Sequence, residues 1–260
     1  MRTPSPRPSL AGILFLCLFT VSLMGGCTQS YDRELQQATD LLTSASGRIS
    51  YLSEIDNISE MNVVTLRSSA AGARTDVTEA MRILNGIPQE KLDAQDRKIL
   101  QASLVGCSVL EKMCVMLEGP FADFIDHSQN FSVSRDPAYE ARMMLSSLEE
   151  MGSEIDVMDQ EIQTIDESDV PPESRGDFVS MKVAIQSLGT EVDEAIQTLR
   201  STCLKSCGSG EVLGSDCLCH PRCGTGTTYC ADSDAICCLG TCYVPCPKGY
   251  TMDSTCHCTR

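Results

Sequence analysis

The sequence predicts a mainly α protein, an antiparallel helical bundle of four or five helices followed by a small disulfide-rich, loop-rich domain. Three observations carry this expectation. Apolar residues between 31 and 202 recur at three and four rather than at two. Pro and Gly pairs punctuate that stretch at intervals of helix length. Twelve of the 16 cysteines lie between Cys203 and Cys258.

Charge divides the chain at the same place as the cysteines. Residues 28–202 hold 14 basic and 31 acidic side chains, whereas residues 203–260 hold 4 and 5. The whole chain carries a net charge of −16. Such an acidic chain repels phosphate backbones, so nucleic acid is excluded as a partner. The expected organisation is residues 1–26 as a signal peptide, 27–30 as a linker, 31–202 as an acidic helical bundle and 203–260 as a cysteine-rich domain.

Taken in order, Arg2 and Arg7 precede an uncharged apolar run from Leu10 to Met24. That run is shorter than the roughly 20 residues a membrane span requires, and a basic start with a short apolar core marks an export signal. The run ends Leu23-Met24-Gly25-Gly26-Cys27. This resembles the lipobox of prokaryotic lipoproteins, in which an apolar residue and two small ones precede a cysteine. The resemblance implies that Cys27 is lipidated, becomes the first residue of the mature chain and anchors it extracytoplasmically to a cell or outer membrane surface. Ordinary signal cleavage that leaves Cys27 as a thiol is the rival reading.

Leu35, Leu42 and Ile49 share one heptad position and interleave with Ala38, Ala45 and Leu52, which predicts one helix over roughly 32–66. Ala70-Ala71-Gly72 loosens that pattern. Thr75 and Asp76 then open a shorter helix through Leu84, which Asn85-Gly86 closes with a left-handed cap. Pro88 begins the next helix, where its missing N–H costs nothing. On that helix Leu100, Cys107 and Cys114 form one heptad column, with Leu110 and Leu117 beside it, and Gly119-Pro120 ends it. Pro137 opens a further helix bearing Met143, Met144, Leu148, Met151, Ile155, Met158 and Ile162. Pro171-Pro172 starts the last, with Val179, Val183, Ile185, Leu188, Val192, Ile196 and Leu199 on its apolar side. Stripes of this kind bury most simply in an up-and-down bundle; a longer coiled-coil stalk is the alternative.

Cys107 and Cys114 stand two helical turns apart, about 10.5 Å along one axis, beyond the roughly 7 Å that a disulfide allows between Cα atoms. They read as buried thiols. Residues 149–169 hold nine acids and no base. They lack the spacing and glycine of a calcium loop and read as a solvated helix face. Asn57-Ile58-Ser59 and Asn130-Phe131-Ser132 match glycosylation sequons, which makes Asn57 and Asn130 candidate glycan sites.

The tail contains a duplication. Cys203, Cys207, Cys217 and Cys219 recur as Cys242, Cys246, Cys256 and Cys258, at one constant offset in a C-x3-C-x9-C-x-C unit. Gly210 matches Gly249, Leu213 matches Met252 and Ser215 matches Ser254. Cys223, Cys230, Cys237 and Cys238 lie between the copies. Twelve is an even number, export is oxidising, and few large apolar residues are present, so all twelve are expected in disulfides. The order Cys223, Cys230, Cys237-Cys238, Cys242, Cys246 resembles the inhibitor cystine-knot frameworks of cone-snail and spider toxins. That resemblance implies the pairs Cys223–Cys238, Cys230–Cys242 and Cys237–Cys246. It covers only the stretch from Cys223 to Cys246 and shares cysteines with the second copy, so it competes with the repeat. Cys-Pro-x-Gly from Cys246 resembles small extracellular repeats of protease-inhibitor type. The residues alone leave the connectivity open. Zinc held by these cysteines with His220 and His257 is a rival, though the Cys-x2-Cys spacing of zinc knuckles is absent.

No nucleophile elbow, zinc-protease helix, phosphate loop or dinucleotide fingerprint occurs. His127 stands between Asp126 and Ser128, which is adjacency and not a triad. No catalytic residue, metal or cofactor is expected. The functional expectation is a membrane-anchored surface lipoprotein acting as a non-enzymatic binding, adhesion or structural protein. Its helices form a spacer, and its disulfide-rich head recognises an extracellular protein or glycan. The alternatives are an exported hydrolase or redox protein with an unrecognised site, and a metal-binding tail.

Overall fold

The computed structural model describes residues 31–50, 52, 61–131, 133–134, 136–204, 209, 211–213, 217–221, 236–238, 241–243, 251–252 and 258–259. These residues are mainly helical. The helices are α1 (Asp32–Ile49), α2 (Val63–Asn85), α3 (Ala94–Glu118), α4 (Pro120–Phe131), α5 (Pro137–Ile162) and α6 (Arg175–Thr202). Two compact units divide the chain, one formed by residues up to 125 with 147–195, the other by 126–146 with 196–260.

In the first unit the helices bury narrow seams. On α1 the buried residues are Leu35, Ala38, Leu42, Ala45 and Ile49; on α2 they are Leu66, Ala70, Ala73, Val77, Ala80 and Leu84, with Ile83 beside the last. The steps of three and four match the spacing of a coiled-coil seam, and the alanines let backbones approach closely. Antiparallel neighbours follow from cross-helix pairs. Ser44 Oγ donates to Asp76 Oδ2 between α1 and α2, and Arg48 Nε pairs with the same oxygen, both at 2.8 Å. Thr78 Oγ1 donates to Glu111 Oε1 at 3.0 Å and Arg74 pairs with Glu118 at 3.2 Å between α2 and α3. Between α3 and α5, Ser108 Oγ and Lys112 Nζ both reach Glu161. Between α5 and α6, Gly152 faces Val192, Gly189 faces Ile155, and Gln186 donates to Asp159.

Helix α3 buries a much broader face than the others. Leu100, Cys107, Leu110, Cys114 and Leu117 are buried as the heptad columns require, and so are Ala102, Ser103, Gly106, Val109, Met113 and Met116. Side-chain bonds tie α3 to α2 on one side and to α5 on another. The stretch Ala94–Phe131 is apolar enough to cross a membrane by composition and length, but 61% of its most apolar window is buried inside the protein. That burial is expected of a core helix.

Several expected boundaries move. The helix expected over 32–66 stops at Ile49, and α2 starts at Val63, where Asn62 Oδ1 accepts the Thr65 N–H at 3.0 Å. Helix α2 then runs through Gly72 without interruption. Ala70 and Ala73 are its seam, not a break. Gly86 caps it with φ −74°, so the left-handed cap is not used. Pro88 precedes a 3-10 turn, Gln89–Lys91, and α3 begins only at Ala94, where Asp93 Oδ1 accepts the Asp96 N–H at 2.8 Å. An N-cap carboxylate satisfies a donor that Pro88 merely lacks. Gly119-Pro120 ends α3 as expected, but a separate helix, α4, follows at once. On α6 the seam is Phe178, Met181, Ile185, Leu188, Val192, Ala195 and Leu199, while Val179 and Val183 are exposed. Val179 lies about 100° round the helix from buried Phe178, and Val183 lies two residues, about 160°, from both Met181 and Ile185.

The tail strands pair as three antiparallel hairpins: β1 (Glu211–Leu213) with β2 (Cys219–Pro221), β3 (Ile236–Cys238) with β4 (Thr241–Tyr243), and β5 (Thr251–Met252) with β6 (Cys258–Thr259). Leu213 stands opposite Cys219, Cys237 opposite Cys242, and Met252 opposite Cys258.

Candidate functional site

Two places concentrate chemistry among the described residues: the turn between α4 and α5, and the tail after α6. In the turn, Glu140 on the first part of α5 reaches back across it. Its Oε2 lies 2.7 Å from His127 Nδ1 on α4, and its Oε1 accepts Ser134 Oγ at 3.1 Å. Tyr139 meets the His127 ring edge-on, with centroids 6.2 Å apart. Ser134 Oγ also accepts the Asp136 N–H, and Asp136 Oδ1 accepts the Tyr139 N–H. The sequence offers only Asp126 and Ser128 as neighbours of His127. Its partners Glu140 and Tyr139 belong to the next helix and are brought to it by the turn, a relationship that periodicity does not encode.

The order of these groups decides what they do. An acyl-transfer triad runs hydroxyl, imidazole, carboxylate, with the imidazole in the middle to move the proton. Here the carboxylate is in the middle and the serine bonds to it, so the imidazole cannot activate the hydroxyl. A carboxylate near a helix N-terminus is also favoured by the helix dipole. The cluster therefore serves as a clamp on the α4–α5 turn.

In the tail, Cys203 follows α6 directly and is disulfide-bonded to Cys217, with Cα atoms 4.5 Å apart. Cys217 holds φ 60°, the left-handed region that a side chain seldom occupies. The bridge on one side and the start of strand β2 on the other fix that backbone. Cys219 is also disulfide-bonded. The backbones of Cys237, Cys238, Cys242 and Cys258 lie in β3, β4 and β6. Cys207, Cys223, Cys230, Cys246 and Cys256 fall outside the described residues, as do Cys27, Asn57 and His257. Asn130 is exposed in the last turn of α4, where its carbonyl accepts the N–H groups of Val133 and Ser134.

Cys107 and Cys114 are buried thiols of α3. Burial pushes the Cys107 thiol up to about 12, with the Glu111 charge adding to it. A thiol held protonated is a poor nucleophile and a poor metal ligand. The acids of 149–169 are not all solvated: Glu161 pairs with Lys112, and Asp169 with Lys98 at 2.6 Å. The Asp169 carboxylate in turn raises the Lys98 pKa. Backbone and hydroxyl hydrogen bonds from Ser168 lower the pKa of Asp166. Among the described residues no group of three or more His, Cys, Asp or Glu side chains is placed to hold a metal.

No protein-family model matches the chain, and neither a curated protein nor a solved structure matches it.

Proposed function

We propose that the chain is a lipid-anchored surface protein without enzymatic activity, in which an antiparallel helical bundle spaces a disulfide-rich recognition head from the membrane. Cys27 carries the lipid, and the head takes an extracellular protein or glycan. The observation that supports this most is the pairing of hairpins β1–β2 and β5–β6 in equivalent register after a single long helix. Helix α6 has 28 residues, about 42 Å at 1.5 Å each. A head with two like hairpins offers two related contact surfaces, a common way to gain affinity by linking sites.

The test keeps every cysteine and every described strand. Asp216→Gly, Asp253→Gly and Thr255→Gly turn residues 214–216 and 253–255, which follow β1 and β5 in sequence, into Gly-Ser-Gly in the full chain. Both chains are then compared on a glycan array and on immobilised extracellular proteins. Loss of binding in the variant alone supports the head as the recognition element. Equal binding by both chains moves recognition to the helices.

A further inference from the structure

The end of α2 holds a reactive dipeptide. The chain contains the asparagines Asn57, Asn62, Asn85 and Asn130, and only Asn85 is followed by glycine. The others precede Ile, Val and Phe. An asparagine side-chain amide is open to attack by the backbone nitrogen of the next residue. Glycine exposes that nitrogen most, because it has no Cβ to shield it and the freest backbone. Asn85 and Gly86 are both exposed, so water reaches the pair.

The fold explains the glycine and also restrains it. A Cβ at Gly86 would come 3.2 Å from the Ile83 carbonyl oxygen, a close approach that favours glycine at this cap. The Gly86 N–H donates to the carbonyl oxygens of Arg82 at 3.2 Å and Ile83 at 3.0 Å. Asn85 Nδ2 donates to the Met81 carbonyl oxygen at 2.9 Å. Nucleophile and leaving group are therefore both tied to carbonyls of the last turn. Asn85 has helical backbone. Closing a five-membered ring from Gly86 N to Asn85 Cγ requires its ψ to leave the helical range, which breaks those bonds. Ile87 is buried and its N–H donates to the Leu84 carbonyl oxygen at 3.1 Å, so it pins the cap from the far side.

We infer that Asn85-Gly86 is a deamidation site gated by the α2 cap, closed while the cap is made and open when the end of α2 frays. Gly86 N forms a bond to Asn85 Cγ and gives up its proton. The Cγ–Nδ2 bond breaks, and Nδ2 leaves with that proton as ammonia. Water then opens the cyclic imide at either carbonyl, which leaves aspartate or isoaspartate. Nothing is oxidised or reduced. The product works against the cap that guarded it. Its carboxylate has no N–H for the Met81 carbonyl, and it puts a negative charge at the negative end of the helix dipole. Isoaspartate also lengthens the main chain, so the original turn cannot close again. The dipeptide lies in the bundle, so the outcome is independent of what the head binds.

Full-length chain is incubated at mildly alkaline pH in heavy-oxygen water, with and without urea. Peptides spanning Asn85 are then separated and fragmented by electron transfer to count asparagine, aspartate and isoaspartate. Conversion is expected to be at least about tenfold slower in the folded chain than in urea, because reaction waits on local opening. Ile87→Ala and the milder Ile87→Val leave the dipeptide intact and loosen the cap. Without urea both should convert faster than wild type, Ile87→Ala the more so, and in urea neither should differ from it. The far-ultraviolet helical signal shows that each variant is folded, and Ile87→Val carries the comparison if Ile87→Ala is not. Equal wild-type rates with and without urea, or an unchanged rate in a folded Ile87 variant, overturn the gating. Asn85 that stays intact in urea overturns the site itself.

Discussion

Gly72 of α2 lies directly beneath the side chain of Arg48 from α1. A Cβ at Gly72 would come 3.0 Å from Arg48 Nη1 and 3.2 Å from its Cδ, while Arg48 holds Asp76 at 2.8 Å. Gly47, by contrast, faces open space on α1. Alanine is favoured over glycine inside a helix by about 1 kcal/mol. Gly47→Ala should therefore stabilise the protein by about that much. Gly72→Ala should gain less, because Arg48 must move and its half-exposed ion pair, itself worth under about 1 kcal/mol, is disturbed. Denaturant melts of both variants check this. In the Arg48→Ala background the two alanines should become equivalent, and a persisting difference would assign the Gly72 cost to backbone instead.

The glycine explains why one helix boundary departs from expectation. Sequence patterning treats Gly72 as a helix breaker because it cannot see that a neighbouring arginine occupies the space a methyl would fill. Where local chemistry alone decides, the sequence is legible. Pro137 opens α5, and Leu100, Cys107 and Cys114 are buried as one column. Legibility ends where the choice of face depends on a partner helix. Val179 and Val183 are as apolar as Val192, but only Val192 meets a seam, beside Gly152. The His127–Glu140 contact is illegible for the same reason, since it exists only once the turn is made.

Cys107 gives the fold an alkaline weakness. The buried thiol is raised from 9.0 to about 12, so between those values the unfolded chain has lost a proton that the folded chain keeps. Stability is fully present below the unfolded value and falls as pH rises through this window. The loss attributable to this group is about 1 kcal/mol at pH 10 and about 4 kcal/mol once the folded thiol also titrates. Cys107→Val removes the titrating group at similar volume. Urea melts between pH 8 and pH 10.5 should fall more steeply for wild type than for Cys107→Val; parallel curves would show that Cys107 does not stay protonated in the fold.

Reduction should separate the helices from the tail. Among the described residues, the seams of α1, α2, α3, α5 and α6 contain no disulfide, whereas Cys203, Cys217 and Cys219 in the tail are disulfide-bonded. Hairpins with strands as short as these do not hold alone in water. In reductant at neutral pH, the full chain should keep its far-ultraviolet helical signal while protease cuts beyond residue 204 multiply. Loss of the helical signal in parallel with reduction would mean that the head supports the bundle.

The anchor yields the remaining prediction, and it rests on Gly25-Gly26-Cys27 following the apolar run from Leu10 to Met24. A lipid joined to Cys27, as proposed, would hold the mature chain at a membrane surface by burying acyl methylenes, at about 0.8 kcal/mol each. A single acyl chain binds reversibly, so stable attachment requires more than one chain on this cysteine. Cys27→Ala removes the acceptor sulfur. In a host with lipoprotein processing, wild type should sediment with membranes, resist high salt and partition into detergent. Its amino-terminal peptide should be heavier than the bare sequence by the mass of the lipid. Cys27→Ala should appear either as a released soluble chain or as an uncut precursor retaining residues 1–26. High salt separates this from adsorption: an acidic chain held to a membrane by cation bridges would be washed off, whereas an acylated one stays. An unmodified Cys27 in the wild-type peptide would end the lipid-anchor reading and leave the export signal as an ordinary cleaved one.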